Sequence, residues 1–440
     1  MADLPLVRHA PDAPFAYREN QLVRAAGFLD EVAHLATLLP DRRHVINLCS
    51  DRFRFAAGFA AALARGQISL LPPGQTADLI ERLVRDYADI YCLTDGPAEQ
   101  AGVETFRYPS SFERRMTPVM VRALPEERMA AIVFTSGSTG DPVPHPKTWG
   151  GLVAAALAEI ERLGVQNFPG LAILGTVPPQ HMYGLESTVL MPLQGALILH
   201  AGRPFFPADI CAELEALPRP RGLVTTPVHL RALLADAAAL PPVDFLLCST
   251  AALSPQLAAQ AEERFAAPLH EIYGCTEAGQ LATRRPTETA EWQLFPRFAM
   301  RQDEKGTWVK GGHARTELLL SDIIEPQGRG RFLLHGKTAD LVNVAGKRTS
   351  LASLNHHLNA IPGVRDGAFV VPVDPAGAVT RLAAFAVAPG VSSEFILSAL
   401  RQRIDPAFLP RPLCIVDSLP RNDTGKLPRA RLDTLLAKVG

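Results

Sequence analysis

The 440-residue chain has no excess of either charge: 44 Lys+Arg stand against 45 Asp+Glu, a formal net charge of −1. Nucleic acids and anionic membranes select a basic excess, so neither is expected as a partner. Cysteine is scarce, with six residues at positions 49, 92, 211, 248, 275 and 414 and no CxxC pair. Most lie in apolar runs such as VINLCS and FLLCST, a pattern of buried reduced thiols rather than a disulfide framework or a zinc site. Long apolar runs are missing too, none approaching the roughly 18 residues of a membrane span. The opening MADLPLVRHAPDAPF lacks the basic-then-apolar order of a secretory signal. The expectation is a cytoplasmic globular protein.

Hydrophobic residues make up 47% of the chain and charged residues 20%, enough for a large core. Gly (32) and Pro (38) occur without any short repeat, which implies many tight connections. At about 150 residues per domain, the length suggests two or three domains. Eight apolar runs, at 44–50, 68–73, 89–95, 129–135, 171–178, 196–201, 222–227 and 244–250, read as strands. Their near-continuous apolar character suits parallel strands covered on both faces. Between them lie helical patterns. In 148–164, Leu152, Ala156, Ile160 and Leu163 recur at spacings of three and four, and Ser254-Pro255 opens another helix as N-cap and first residue. The alternation predicts an α/β fold, a large domain over 1–335 with mostly parallel sheets and helices. A β meander follows residue 300, with turns near Gly312 and Gly328. After a junction at 336–340, residues 341–440 read as a small, mobile α+β domain.

Three segments carry chemistry. Thr135-Ser136-Gly137-Ser138-Thr139-Gly140 follows an apolar strand and is expected to precede a helix. Its N–H groups and hydroxyls could wrap a polyphosphate, with the helix N-terminus adding a favourable field; a plain Ser/Gly-rich surface turn is the alternative. It lacks the Gly-Lys-Ser/Thr of a Walker loop, and a hydrolase G-x-S-x-G elbow is absent. Tyr273-Gly274-Cys275-Thr276-Glu277 could stack a base, reach phosphate and hold Mg²⁺ at a strand's C-terminal edge, or be a strand end with a buried Tyr and a solvated Glu. Pro420-Arg421-Asn422-Asp423-Thr424-Gly425-Lys426 offers a lysine on a Gly-hinged loop, either a cation for an anionic transition state or a solvated surface residue.

Taken in order, these segments resemble those of the adenylate-forming superfamily of acyl- and aryl-CoA synthetases, peptide-synthetase adenylation domains and luciferases. TSGSTGDP is similar to its phosphate loop, YGCTE to its YGxTE signature, and Ser321-Asp322 stands at its TGD motif. GKTADLVNVAGKR resembles its GRxxDxIKxxGxR hinge and following loop, PRNDTGK its C-terminal lysine motif, and PPQHMYGLE the segment bordering its acid pocket. The resemblance spans roughly residues 20–435 and implies ATP and Mg²⁺ as cofactors, with CoA or carrier-protein phosphopantetheine as acceptor. It implies that Ser136, Ser138 and Thr139, in the loop with Thr135, Gly137 and Gly140, cradle the β- and γ-phosphates. Tyr273 and Gly274 would meet adenine beside Thr250-Ala251-Ala252, Asp322 would take the ribose with Lys337 close by, and Thr276 would reach the α-phosphate. Glu277 would hold Mg²⁺, and Lys426 would bridge the substrate carboxylate and the nucleotide. His181, Tyr183 and Gly184 would border the acid, with Ser249 and Cys275 on the wall; each could instead be a packing or capping residue. Gly346 and Arg348 would serve the thiol step after a swing near Ala339.

The chain departs from the family pattern at three places. The lysine of TGxPK is replaced by Val143, so a phosphate cation is missing or comes from His145 or Lys147. The Arg of GRxxD is Lys337, which keeps charge but loses the bidentate fork. Ser353-Leu354-Asn355 replaces a Glu-Ile-Glu. The PVPHPKTWGGL continuation and the short N-terminal region resemble stand-alone ligases of bacterial aryl-polyene and xanthomonadin-type clusters. The expected reaction is ATP-dependent activation of an aryl or medium acyl acid and transfer to a pantetheine thiol, with an acyl carrier protein as a possible partner. The alternatives are a degenerate adenylate-binding protein without turnover, or a ligase of fatty or amino acids.

Overall fold

The apolar runs become two largely parallel sheets. The computed structural model describes residues 2–439 apart from 20, 73, 75, 97–101, 113–122, 137–141, 236–238, 252, 338–340, 345–346, 373–380 and 423–426. One six-stranded sheet has the order Pro142–Thr148, Met129–Ser136, Ile68–Leu71, His44–Asn47, Ile90–Thr94, Glu104–Arg107. Its strands run parallel except for the first, which returns antiparallel along 129–136. The second sheet has eleven strands. Its centre is the parallel set Leu269–Cys275, Phe245–Cys248, Arg221–Thr225, Ala172–Gly175, Ile198–His200 and Pro14–Arg18. Antiparallel strands flank that centre, with Gly279–Arg284 beside 269–275 and the pair Asp322–Gly328 and Arg331–Lys337 at the far edge.

All eight expected strands are present, and the helix expected at 148–164 runs Trp149–Leu163. Thr148 caps it by accepting the Gly151 N–H, and Gly164 ends it at φ +65°, where a Cβ would be strained. Leu152, Ala156, Ile160 and Leu163 are all buried. Ser254 likewise caps Pro255–Phe265 by accepting from Leu257 N–H. One expectation fails: no helix follows the 135–140 segment. PVPHPKT is a strand, and the helix begins only at Trp149, so its N-terminal field cannot act at the loop.

The meander is Phe298–Asp303, Gly306–Gly311 and Ala314–Leu319, with Gly312 at positive φ in its last turn; Gly328, also at positive φ, turns instead the 322–328/331–337 hairpin of the eleven-stranded sheet. From residue 342 onward a separate α+β core forms. The sheet Asp366–Val370, Ala383–Val387 and Leu413–Ile415 packs with helices Leu351–Asn359 and Ser393–Arg401, and two apolar clusters draw only on residues of this segment. All six cysteines are free thiols, three of them buried. Among the described residues no helix is long and apolar enough to cross a membrane.

Candidate active site

The central strands of the large sheet are parallel, so their C-terminal ends share one edge. From that edge leave the connection after Gly175, Thr226 after Thr225, Ser249–Ala251 after Cys248, and Thr276–Ala278 after Cys275. Ligands of α/β sheets gather at this edge because the connections there are free to vary while the strands hold them rigidly.

The hairpin of the other sheet reaches the same place. In it Thr135 pairs with Val143 and Ser136 with Pro142. Alternation puts Val143, His145 and Lys147 on one face. His145 Nε2 is 3.0 Å from the Thr135 hydroxyl and 3.9 Å from Glu277 Oε1. Burial lowers the imidazole's pKa, with Glu277 opposing and Lys147 adding to the shift. Lys147 donates to the Glu277 backbone carbonyl at 2.8 Å. Burial lowers its pKa too, against the pull of the fully buried Glu186. Four residues from Val143, roughly 13 Å along the strand, Lys147 braces the Thr276–Glu277 turn. Glu277 itself is exposed.

Tyr273 is 8% exposed, its ring packed against Trp292 and Phe332 at 5.7 and 5.8 Å. Its hydroxyl donates to Asp322 Oδ2 at 2.8 Å. Asp322 pairs with Lys337 across the ladder, so Tyr273, Asp322 and residue 337 form one group. Gly274 is required by close approach, since a Cβ there would lie 2.5 Å from the Gly279 carbonyl oxygen. Thr250 holds φ +85°, a strained conformation for a β-branched residue and one that clusters at functional loops.

Of the residues expected to border the acid, Tyr183 has its hydroxyl committed to the backbone, 3.2 Å from Thr225 O and 3.1 Å from Leu247 O, and the side chain is buried. Gly184 lets its helix approach the chain, since a Cβ would sit 1.9 Å from Pro178 O. Ser249 donates to Ile272 O at 2.9 Å. His181 caps the short helix Met182–Leu185 through Nδ1 and is half-exposed. Cys275 faces Gly279 across the strand pair, and burial pushes its pKa up to about 12.

Gly137, Ser138, Thr139, Gly140, Ala252, Gly346 and Lys426, with the junction residues 338–340, lie outside the described residues, as do the side chains of Ser136, Lys337 and Arg348. Sequence reasoning passed over the buried polar group behind the 276–278 turn. There Gln280 Nε2 donates to Ser187 Oγ, Ser187 donates to Glu159 Oε1, and Glu186 Oε1 and His313 Nε2 crowd Gly279. Nothing in the spacing of those residues signals their meeting.

The geometry joins the Thr135–His145 pair, an exposed carboxylate at Glu277 and a buried Tyr273–Asp322 pair at one sheet edge. The family model for AMP-binding enzymes matches residues 38–298, more than half of the chain, and the chain belongs to that family. A 4-coumarate–CoA ligase of Rhodobacter capsulatus is 30% identical over 334 residues, covering 73% of this chain and 79% of the relative. A 2-succinylbenzoate–CoA ligase of Staphylococcus epidermidis is 24% identical over 337 residues, covering 70% of each. Among solved structures, the o-succinylbenzoate CoA synthetase of Bacillus subtilis with its acyl-adenylate superposes with a TM-score of 0.81 at 18% identity, covering 98% of both chains. ATP-bound MatB of Rhodopseudomonas palustris gives 0.81 at 16%, covering 98% of this chain and 97% of that one. These likenesses establish the mixed α/β fold.

Proposed function

We propose that the chain is an ATP-dependent acid–thiol ligase. The observation that supports this most is the convergence of Thr135, His145 and Glu277 with the Tyr273–Asp322 pair at one sheet edge. In the first step a carboxylate oxygen attacks the α-phosphorus of ATP. The bond from that phosphorus to the bridging oxygen breaks, releasing pyrophosphate and leaving an acyl-adenylate. In the second a thiol sulfur attacks the acyl carbon, AMP departs with the bonding pair, and the thiol proton passes to solvent.

The residues present suit these demands. Asp322, oriented by the Tyr273 hydroxyl, accepts from ribose hydroxyls. Thr276, half-exposed on the turn held by Lys147, donates to the α-phosphate. Mg²⁺ arriving on ATP neutralises phosphate charge, and the exposed Glu277 carboxylate with phosphate oxygens and water is a donor set that suits it. Among the described residues there is no cluster of three or more His, Cys, Asp or Glu that would form a resident metal centre. Lys426, on a small mobile domain beyond a 336–340 junction, bridges the attacking carboxylate and the nucleotide; Gly346 and Arg348 serve the thiol. The names of the relatives favour CoA as acceptor and an aryl acid as substrate; a medium acyl acid and the aryl-polyene type of ligase rest on the sequence resemblance alone.

ATP–pyrophosphate exchange over a panel including 4-coumarate and 2-succinylbenzoate tests the reading. Exchange is expected with at least one acid, and Lys426→Ala lowers it about 100-fold or more while sparing thioester formation from preformed adenylate. ATP binding without exchange for any acid would sink the enzyme reading in favour of a non-turnover adenylate binder. Product formed with holo carrier protein and not with CoA would move the acceptor.

A further inference from the structure

A three-membered charge cluster joins the C-terminal segment to the large sheet. Asp366 begins the strand Asp366–Val370, and Arg421 lies five residues before Lys426. The Arg421 guanidinium forks onto the Asp366 carboxylate, Nε to Oδ2 at 2.7 Å and Nη2 to Oδ1 at 2.8 Å. Such a planar pair fixes orientation as well as distance. A second guanidinium approaches the same carboxylate: Arg231 Nη1 lies 3.8 Å from Asp366 Oδ1. Arg231 belongs to the helix Pro227–Ala235, which starts two residues after the 221–225 strand ends at the site edge.

The group is shielded, with side chains 21% exposed for Arg231 and 16% for both Asp366 and Arg421. Burial lowers the pKa of Arg231, and Asp366 is the carboxylate that opposes the shift. Two cations on one partly buried anion is an arrangement in which removing either cation changes where the anion sits. One cation is on the segment that ends in Lys426 and the other on the element rooted at the site edge.

We propose that Arg231 is a positioning residue for adenylation: through Asp366 and Arg421 it fixes residues 420–422, from which the chain leads on to Lys426. This rests on the acid–thiol ligase reading. Once the adenylate exists, the carboxylate oxygen is already bonded to phosphorus and the bridging lysine has no further role. Loss of Arg231 therefore weighs on the first step alone.

The test uses the full chain with Arg231→Met, Arg231→Lys, Asp366→Asn and the double variant Arg231→Met/Asp366→Asn. Exchange is assayed with 4-coumarate and 2-succinylbenzoate, thioester formation with synthetic 4-coumaroyl-adenylate and CoA, and amide hydrogen exchange on the unliganded proteins. Expected for Arg231→Met are an exchange kcat lowered about 10–100-fold, an ATP KM within about threefold, and thioester formation within about threefold. Arg231→Lys should recover part of the loss, and the double variant should be no worse than the poorer single one. Peptides covering 413–422 should exchange faster in Arg231→Met while those covering 245–275 do not change. Unchanged exchange kcat, equal loss in both half-reactions, additive losses, or unaltered hydrogen exchange over 413–422 would each overturn the proposal. If the parent protein exchanges with no acid, the ligase reading fails by itself, and hydrogen exchange still decides whether Arg231 holds the segment.

Discussion

Glu159 is a carboxylic acid with no water to ionise into. It is fully buried on the 149–163 helix, its Oε1 accepts from Ser187 Oγ at 2.6 Å, and its Oε2 has no hydrogen-bond partner among the described residues. Burial pushes its pKa up to about 7, and the Ser187 and Gln280 contacts offset only part of the shift. The folded state therefore keeps a proton that the unfolded chain gives up near its ordinary value of 4.5. Stability from this group is complete below the unfolded value and is lost as pH rises through the folded one. In Glu159→Gln the titration is removed, so the variant should gain on the parent protein by about 2–3 kcal/mol between pH 5 and pH 8. Urea midpoints at the two pH values measure the gap; a gap independent of pH would mean the carboxyl ionises as readily folded as unfolded. The same scale shows why site partners escaped sequence reasoning. The Tyr183 hydroxyl meets carbonyls 42 and 64 residues away, and Lys147 meets Glu277 across 130 residues. Residue types announced a nucleotide site, but not which hydroxyls were already committed to the backbone.

Elements were more legible than side-chain partners, because an apolar run or a helical repeat is a local property. The eight apolar runs and the 149–163 helix could be read directly, since their burial is recorded in their own composition. PVPHPKT could not, because Pro144 and Pro146 argue against a strand. The segment is nevertheless a strand at the edge of its sheet, where the missing N–H groups need not pair. Gly184 shows a constraint that composition hides. On the short 182–185 helix its Cα faces the Pro178 carbonyl so closely that alanine must displace the 178–181 turn. Gly184→Ala should cost about 2–3 kcal/mol by overpacking. Gly27, on the helix Ala25–Leu38, has room: a Cβ there would meet Val23 Cγ1 at 3.6 Å, an ordinary contact. Gly27→Ala should therefore stabilise by roughly 0.5–1 kcal/mol through helix propensity. Opposite signs in thermal denaturation are the expected outcome, and equal shifts would contradict the packing argument.

At the scale of the molecule, the two sheets are joined through a fully buried arginine with no acid hydrogen-bonded to it among the described residues. Arg52, the first residue of the helix Arg52–Ala64, donates Nε to Thr188 Oγ1 at 2.9 Å and Nη1 to Gly202 O at 2.8 Å. Its Nη2 donates to Gly175 O at 2.9 Å and Val177 O at 2.7 Å. Burial pulls its pKa down to about 9, helped by Arg203, so it stays charged at neutral pH with backbone dipoles as its solvent. The planar fork suits this position because one rigid group reaches three carbonyls and a hydroxyl on separate segments. Those segments include the end of the 172–175 strand and the start of the 176–181 connection, so the clamp also holds one of the connections that leave the candidate site edge. Arg52→Met keeps most of the volume but takes the arginine's donors from four acceptors, three of them buried, at about 1 kcal/mol or more for each buried one. We expect a loss of about 3–5 kcal/mol in chemical denaturation. Arg52→Lys, with three donors on a point charge, should lose less but not recover the parent value. Hydrogen exchange should speed up first at 172–178 and 200–204 in both variants. If Arg52→Met is instead as stable as the parent protein, the layers are held by their apolar contacts alone and the arginine is a passenger at the seam.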